Sequence, residues 1–143
     1  MLAHRSDAEF GDLDPGPLRG DPVWRVTAYR HAVKCLVVGW SDACQLTRHP
    51  VTKDVSAQLY DALGSIGANI SEGYSRSSGL DRVRLYEYAL GSARESVTWY
   101  LAAIHVLGRD TAMERIARLQ EIIALLLTMI PRERERRIRR RGS

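Results

Sequence analysis

An apolar repeat between residues 83 and 107 constrains the fold of this chain more than any other feature. Its side chains recur at alternating steps of three and four residues, which is the spacing of one face of an α-helix. Ser78 and Asp81 resemble a capping box at its start, and Gly108 suits a C-terminal cap. The sequence therefore predicts a long helix. Its buried face consists of Val83, Tyr86, Leu90, Ala93, Val97, Tyr100, Ile104 and Leu107.

Two more helices are predicted before this segment. The first should run from Pro22 to Thr47, because Asp21 can act as its N-cap, proline is favoured at the first helical position, and Pro50 disfavours helix in the residue before it. Two apolar stripes along this helix indicate that more than one of its faces is buried. The second helix should begin after Thr52 and continue to Gly73.

The last predicted helix begins at a second capping box, Thr111 and Glu114, and ends at Pro131. Four helices joined by short turns predict an all-α fold, an antiparallel up-down four-helix bundle. The first and last helices are apolar on more than one face, so a monomer would expose a large apolar patch. We therefore expect a homo-oligomer.

Charge is concentrated at the two ends of the chain. Residues 1–21 combine glycine, proline and acidic residues and are predicted to be a disordered leader before a bundle domain over residues 22–131. Residues 132–143 form an arginine-rich tail, with seven arginines and two glutamates up to residue 141. The net charge of the whole chain is only +4. Electrostatic attraction to nucleic acid must therefore come mostly from the tail.

Several functional classes find no support in the sequence. No apolar segment resembles a signal peptide or is long enough to cross a bilayer, so we expect a cytoplasmic protein without a membrane partner. Cys35 and Cys44 fall on roughly opposite faces of the first helix, so both are expected to be free thiols. The histidines lack metal-ligand spacing and no glycine-rich phosphate loop occurs. No metal, cofactor or catalytic activity is expected.

Polar residues interrupt the apolar faces at two places. Asn69 and Glu72 are three residues apart in the second helix, and Ser92 and Glu95 have the same spacing in the third. In an antiparallel helix pair the two sets would lie about 15 Å apart, too far for one site. We expect these four residues to form a structural polar motif that satisfies local partners and fixes register at a contact between helices or subunits.

Arginines are the candidate contacts to nucleic acid. Guanidinium groups without a base-reading element would give salt-dependent and largely sequence-independent affinity, although the tail could equally be a solvated helix end. An alternative hypothesis pairs Arg25 with His31, a spacing that some helical-bundle ribonucleases use, but this spacing does not place both residues on one helix face. The candidate phosphate contacts are Arg76, Arg82, Arg84, Arg132, Arg134, Arg136, Arg137, Arg139, Arg140 and Arg141.

Several motifs occur together as they do in a known family. Trp24, the Leu-Thr-x-x-Pro of residues 46–50, the Asn-Ile-x-Glu-Gly of residues 69–73 and the Ala-x-x-Ser-x-x-Glu of residues 89–95 resemble four-helix bundle proteins of the 23S rRNA intervening-sequence family. That family includes the accessory variability proteins of diversity-generating retroelements. The resemblance implies a ring-like homopentamer with no known catalytic activity. In retroelement members it also implies binding to nucleic acid and to a partner reverse transcriptase.

Three function hypotheses follow from the sequence. The first is a non-enzymatic, oligomeric helical-bundle protein that binds RNA or DNA as an accessory to a reverse transcriptase. The second is a structural or protein-interaction module whose tail only keeps it in solution. The third and weakest is a ribonuclease that uses Arg25 and His31.

Overall fold

The computed structural model describes residues 13–142 and is helical throughout, with no strand in that range. The all-α class predicted from the sequence is therefore confirmed. Two short 3-10 helices, Gly16–Gly20 and Pro22–Arg25, precede five α-helices. The α-helices are α1 (Thr27–Thr47), α2 (Lys53–Tyr74), α3 (Gly79–Ala102), α4 (Ile104–Leu107) and α5 (Arg109–Arg141).

The long helices pack in sequence order around one apolar core. α1 packs on α2, α2 on α3 and α3 on α5, and a smaller contact joins α5 to α1. α1 and α2 approach closely at Gly39 and Leu63, where a Cβ at position 39 would overlap the leucine side chain. The Ser56 hydroxyl donates to the carbonyl of Ala43 at 2.7 Å, further along the same pair of helices. The core residues include Leu46, Leu59, Leu63, Ile66, Ile70, Tyr86, Tyr100, Leu119, Ile122 and Leu126.

The start of the first helix differs from the prediction. The chain forms the 3-10 helix Pro22–Arg25, becomes extended at Val26 (φ −75°, ψ 110°), and only then enters α1. Asp21 does cap the segment, since its carboxylate accepts from the Val23 amide at 2.9 Å. The break at Val26 allows Val23 to be buried and the ring of Trp24 to pack edge-on against Tyr29. Packing of Val23 and Trp24 in the tertiary structure is thus favoured over the continuous helix predicted from the sequence.

The predicted leader is only partly described. Residues 1–12 lie outside the described residues, so the disorder expected for them stays a prediction. Within the remaining part, Gly16–Gly20 is a 3-10 helix without a buried residue. Asp14 supports it, since its carboxylate accepts from the Gly16 amide at 2.9 Å and pairs with Arg19 at 3.6 Å.

The turn between α1 and α2 is built by a threonine that does not cap as expected. α1 ends at Thr47, as the following His-Pro sequence predicts. Thr52 occupies the N-cap position of α2 but makes no side-chain cap to that helix. Its hydroxyl donates instead to the carbonyl of Leu46 at 2.8 Å, inside the core. Thr52 therefore closes the end of α1 rather than the beginning of α2.

The third predicted helix is interrupted near its end. Ser78 caps α3, its hydroxyl accepting from the Asp81 amide at 3.5 Å, as predicted. The helix stops at Ala102, and the buried Ala103 links it to the four-residue α4. Gly108 then adopts φ +86°, a conformation that favours glycine, and the chain enters α5. Because α5 already begins at Arg109, the predicted start at Thr111 is wrong.

The prediction that Pro131 ends the last helix is also wrong. α5 continues through the proline to Arg141. Proline removes the hydrogen bond to the carbonyl four residues earlier and costs about 3 kcal/mol inside a helix. That earlier residue, Leu127, is 49% exposed and lies on the solvent-facing side of the helix. Residues 133 and 134, beyond the proline, form ion pairs with α3.

Candidate nucleic-acid interface and buried polar cluster

The basic end of α5 is joined to the α2–α3 turn through Arg82. The Arg82 guanidinium donates to the carbonyls of Tyr74 and Arg76, both at 2.8 Å, and pairs with Glu133 at 3.4 Å. It also lies over the Tyr74 ring, 5.6 Å from the centroid. We refer to Tyr74, Arg82 and Glu133 as the Glu133 cluster. Its arginine satisfies carbonyls that the end of α2 leaves without helical partners, which favours a structural role for Arg82 over a phosphate contact.

The same cluster shows where α5 leaves the core. A Cβ at Gly79, the first residue of α3, would lie 3.2 Å from the backbone carbonyl oxygen of Glu133. Residue 133 is therefore level with the beginning of α3. At 1.5 Å per residue, the eight residues from 134 to 141 continue the helix for about 12 Å beyond residue 133. The end of α5 is a projecting basic helix, not a loose tail.

Most predicted phosphate contacts with described side chains have an acidic neighbour. Arg76 pairs with Glu72 at 2.8 Å, and Arg84 with Asp81 at 3.8 Å. Arg136 shares Glu133 with Arg82, at 3.6 Å. These pairs are largely exposed on the arginine side, so each is worth little and is open to exchange.

The remaining arginines divide into two groups. Arg134 pairs with Glu87 of α3. Arg132 is exposed, and no ion pair to another described side chain is found for it. The side chains of Arg137, Arg139, Arg140 and Arg141 lie outside the described part of the structure. Among the arginines with described side chains, Arg132 is thus the candidate without an ion pair to another described side chain.

The structural polar motif makes its hydrogen bonds within its own helices. Asn69 donates from its side-chain amide to the carbonyl of Ser65 at 2.8 Å, and Glu72 holds Arg76. Glu95 accepts from the indole nitrogen of Trp99 at 3.2 Å. Ser92 is half-buried, and its carbonyl accepts from the Ser96 hydroxyl at 2.9 Å. The side chains of Asn69, Glu72 and Glu95 thus have local partners, Ser92 contributes its backbone carbonyl, and the role of the four residues in setting register at a subunit contact stays a prediction.

Sequence reasoning missed a buried charged group between α1, α3 and α5. Asp42 is 1% exposed. Its carboxylate accepts from the Tyr100 hydroxyl at 2.7 Å and from Arg115 Nε at 2.9 Å, with a second guanidinium nitrogen at 3.5 Å. We refer to Asp42, Tyr100 and Arg115 as the Asp42 cluster. Its position in the sequence could have indicated this burial, because Asp42 falls seven residues after Cys35 on an apolar stripe of α1.

Burial controls the titration of the groups around the Asp42 cluster. Burial, reinforced by the charge and hydrogen bond of Asp42, raises the pKa of the Tyr100 phenol far above its ordinary value. Burial also raises the pKa of the Cys35 thiol to about 12, so this cysteine stays protonated and unreactive at neutral pH. Burial lowers the pKa of Arg115, but the hydrogen bond and the charge of Asp42, together with Tyr100 and Glu114, outweigh this and the net shift is upward. The cluster is a structural ion pair.

The proposed ribonuclease pair is not brought together by a recorded contact. Arg25 is exposed at the end of the second 3-10 helix, before the extended Val26, whereas His31 is half-buried within α1. No hydrogen bond between the two is found in the described part of the chain. Burial lowers the pKa of His31, with Glu121 opposing this and nearby Lys34, Arg118 and Arg30 adding to it. His31 is therefore neutral at pH 7.

An exposed tryptophan of α1 packs on a half-buried tyrosine of α2. Trp40 is 63% exposed and packs edge-on against Tyr60, with ring centroids 5.7 Å apart. Beside this pair lies a groove of about 270 Å³ between the two helices. We refer to Trp40, Tyr60 and this groove as the α1–α2 face. The groove is lined by Tyr29, Ala32, Val33, Leu36, Leu63, Gly64, Gly67, Ala68 and Ser71.

Residues 13–142 offer neither a metal site nor a membrane span. No group of three or more histidine, cysteine or carboxylate side chains that could hold a metal ion is found there. None of the helices in that range has the length and apolar character needed to cross a membrane.

Known proteins similar to this chain share its helical fold. A crystal structure of a protein of unknown function from the S23 ribosomal protein family of Bacteroides thetaiotaomicron is similar with a TM-score of 0.67 and 24% sequence identity. The match covers 73% of this chain and 98% of that one. A search among curated proteins found no match. A model described as 23S rRNA-intervening sequence protein matches residues 29–128, well over half of the sequence, and the chain belongs to that family.

Proposed function

We propose that this protein is a non-enzymatic, oligomeric helical-bundle protein that binds nucleic acid through the basic end of α5. The observation that carries the proposal is that α5 continues past Pro131 and projects beyond the start of α3. Seven arginines and two glutamates between residues 132 and 141 give this helix a net charge of +5. A helix of that charge attracts phosphates through counterion release.

The structure changes which arginines the proposal relies on. Arg82 is used by the Glu133 cluster, so we remove it from the proposed phosphate contacts. Arg76, Arg84, Arg134 and Arg136 would first have to exchange a carboxylate for a phosphate. Arg132 is therefore the main proposed contact among the described side chains, and the charge run of the sequence adds Arg137, Arg139, Arg140 and Arg141. The family's name refers to 23S rRNA, which makes RNA the first probe.

A salt titration tests this assignment. Arg137, Arg139, Arg140 and Arg141 are replaced together by glutamine, which retains helix propensity. The matched control replaces Arg48, Lys53, Arg94 and Arg109, four exposed cations outside this end of α5. We expect the first variant to flatten the plot of log affinity against log salt by roughly three for a single-stranded RNA, and the control to change it little. Equal slopes in the two variants would refute the assignment.

We also propose that the protomer is an antiparallel up-down four-helix bundle that assembles into a ring-like homopentamer. The α1–α2 face supports this, because exposed aromatic groups beside an apolar groove are typical of protein interfaces. Light scattering should give a pentamer mass for the wild type and a lower mass for Trp40→Glu. Val51→Glu, at a 79% exposed loop position, is the control. A wild-type monomer would refute the proposal.

A reverse transcriptase is the proposed protein partner, and the cytoplasm is the proposed location. Both rest on the resemblance to retroelement accessory proteins. A reverse transcriptase gene beside a template repeat in the same genome, followed by co-purification of the two proteins, would support the partnership. The alternative, a structural module without nucleic-acid binding, predicts no RNA retained on a filter at low salt.

A further inference from the structure

The helical segment after Pro131 needs contacts that compensate for the proline. Proline removes one backbone hydrogen bond and sterically opposes helix in the preceding residue. In many chains such a residue would let the following segment swing free. Here the segment after the proline is instead held close to α3, because the carbonyl of Glu133 packs against Gly79.

Glu133 and Arg134, just after the proline, both pair with α3, and Glu133 is the more buried of the two. Its side chain is 13% exposed and pairs with Arg82 at 3.4 Å, whereas the Arg134 side chain is 59% exposed and pairs with Glu87. Arg82 is fixed independently, since two of its nitrogens donate to the carbonyls of Tyr74 and Arg76. Glu135, two residues further on, is exposed, and no ion pair from it to another described side chain is found. The two neighbouring glutamates therefore differ in contact although their charge is the same.

We propose that Glu133, held by Arg82, is a positioning residue that fixes the direction in which the basic helix of residues 134–141 projects. This inference rests on the proposed binding of nucleic acid by that helix. A helix already fixed in direction loses less conformational entropy when it meets a phosphate backbone than a segment hinged at Pro131 would. Glu133 thus favours binding although its negative charge, taken alone, opposes it.

Two alanine variants separate position from charge. Glu133→Ala and Glu135→Ala each remove one carboxylate from the same helix, so both raise the net charge by the same amount. Electrostatics alone predicts equal and slightly tighter binding to RNA in both. The positioning role predicts that Glu133→Ala binds roughly fivefold more weakly than Glu135→Ala, as expected for losing the preorganisation of a few side chains. Affinity is measured by fluorescence anisotropy with a labelled single-stranded RNA.

Amide hydrogen exchange provides a measurement that does not depend on nucleic acid. We expect faster exchange across residues 134–141 in Glu133→Ala than in Glu135→Ala, with the core of α3 unchanged. Equal exchange in the two variants would refute the inference whatever the wild type binds. Tighter RNA binding by Glu133→Ala than by Glu135→Ala would also refute it, because Glu133 would then be masking arginines instead of positioning them.

A charge-neutral variant covers the case in which Glu133→Ala fails to fold. Gly79→Ala would place a Cβ 3.2 Å from the Glu133 carbonyl, a tight contact that displaces α5 from α3 by a few tenths of an ångström. We expect a smaller loss of RNA affinity, roughly twofold, with faster exchange of residues 134–141. Unchanged exchange in Gly79→Ala would count against the inference. Wild-type protein that binds no RNA, but shows the predicted exchange differences, would refute the proposed function and leave the positioning role of Glu133 on the helix intact.

Discussion

The Asp42 cluster and the Glu133 cluster contain the same three kinds of residue and lie toward opposite ends of α3 and α5. Each combines an arginine, a carboxylate and a tyrosine from three helices. In the Asp42 cluster the side chains of Asp42 and Arg115 are 2% and 12% exposed and their closest approach is 2.9 Å. In the Glu133 cluster the Arg82 and Glu133 side chains are 22% and 13% exposed and 3.4 Å apart. The Asp42 cluster, which is more buried and more closely paired, should therefore contribute more to stability than the Glu133 cluster.

The two clusters should differ in stability because the charge that remains after one partner is removed has a different environment in each. Removing one partner of a buried ion pair leaves an uncompensated charge in a medium that solvates it poorly, which costs several kcal/mol. Arg82 keeps two carbonyl acceptors and some solvent when Glu133 is absent. The first cluster should thus determine whether the core forms, and the second should determine where the end of α5 points.

Asp42→Ala should be the most damaging change. It leaves the Arg115 guanidinium without its buried carboxylate, and we expect a loss of about 4 kcal/mol in the free energy of unfolding. Urea denaturation followed by circular dichroism measures it. Asp61→Ala, at an exposed position of α2, is the control and should change stability by less than about 0.5 kcal/mol. Similar losses in the two variants would mean that Asp42 is not the centre of a buried pair.

Tyr100→Phe should have the next largest effect. It removes the hydroxyl that donates to Asp42 at 2.7 Å but keeps the ring in the core. A buried carboxylate that loses one donor should destabilise the protein by about 2 kcal/mol. Tyr88→Phe, where the ring is 56% exposed, should be nearly neutral in the same urea assay. A neutral Tyr100→Phe would show that Arg115 alone satisfies the carboxylate.

Alkaline pH should weaken the region around the Asp42 cluster through Cys35. Its pKa is 9.0 in an unfolded chain and about 12 in the fold, so the stabilising effect is complete below pH 9 and is lost as pH rises toward 12. We expect a loss of about 1 kcal/mol between pH 9 and 10. Across this range the urea midpoint should depend less on pH in Cys35→Ala than in the wild type, and should still fall with pH in Cys44→Ala. Tyr100, whose pKa is also raised, adds to the decline above pH 10.

The smallest expected effect is the coupling of Arg82 with Glu133. A double-mutant cycle with alanine at both positions should give a coupling energy of about 0.5 to 1 kcal/mol, because the pair is partly exposed and its separation is long. The equivalent cycle on Asp42 and Arg115 should give a clearly larger value. Equal coupling energies would remove the distinction between the two clusters. When both cycles are repeated at high salt, only the coupling energy of Arg82 and Glu133 should fall appreciably.

Local sequence signals predicted where most helices lie and how several begin. The apolar repeat of α3, the cap of Ser78 on Asp81 and the cap of Asp21 on Val23 are confirmed. Gly108 takes the positive φ expected of a C-terminal glycine. These features depend on residues within one turn of each other, so the sequence contains the whole interaction.

Other features depend on residues far apart in the chain, and local patterns predicted them incorrectly or not at all. Pro131 was expected to end the last helix because its local effect is unfavourable, but contacts with Arg82 and Glu87 across the bundle keep the helix in place. Asp42 interrupts an apolar stripe, and only its distant partners Tyr100 and Arg115 make it tolerable there.

The sequence by itself determined the all-α class, the approximate positions of the long helices and the concentration of arginine near the C-terminus. The physical reason is that periodicity, caps and charge runs are properties of neighbouring residues. The tertiary structure alone decided that this basic segment continues α5 as a projecting helix, that Arg82 is engaged in holding it, and that a charged group is buried among three helices. Those outcomes required groups up to 73 residues apart, as for Asp42 and Arg115, to meet at hydrogen-bond distance.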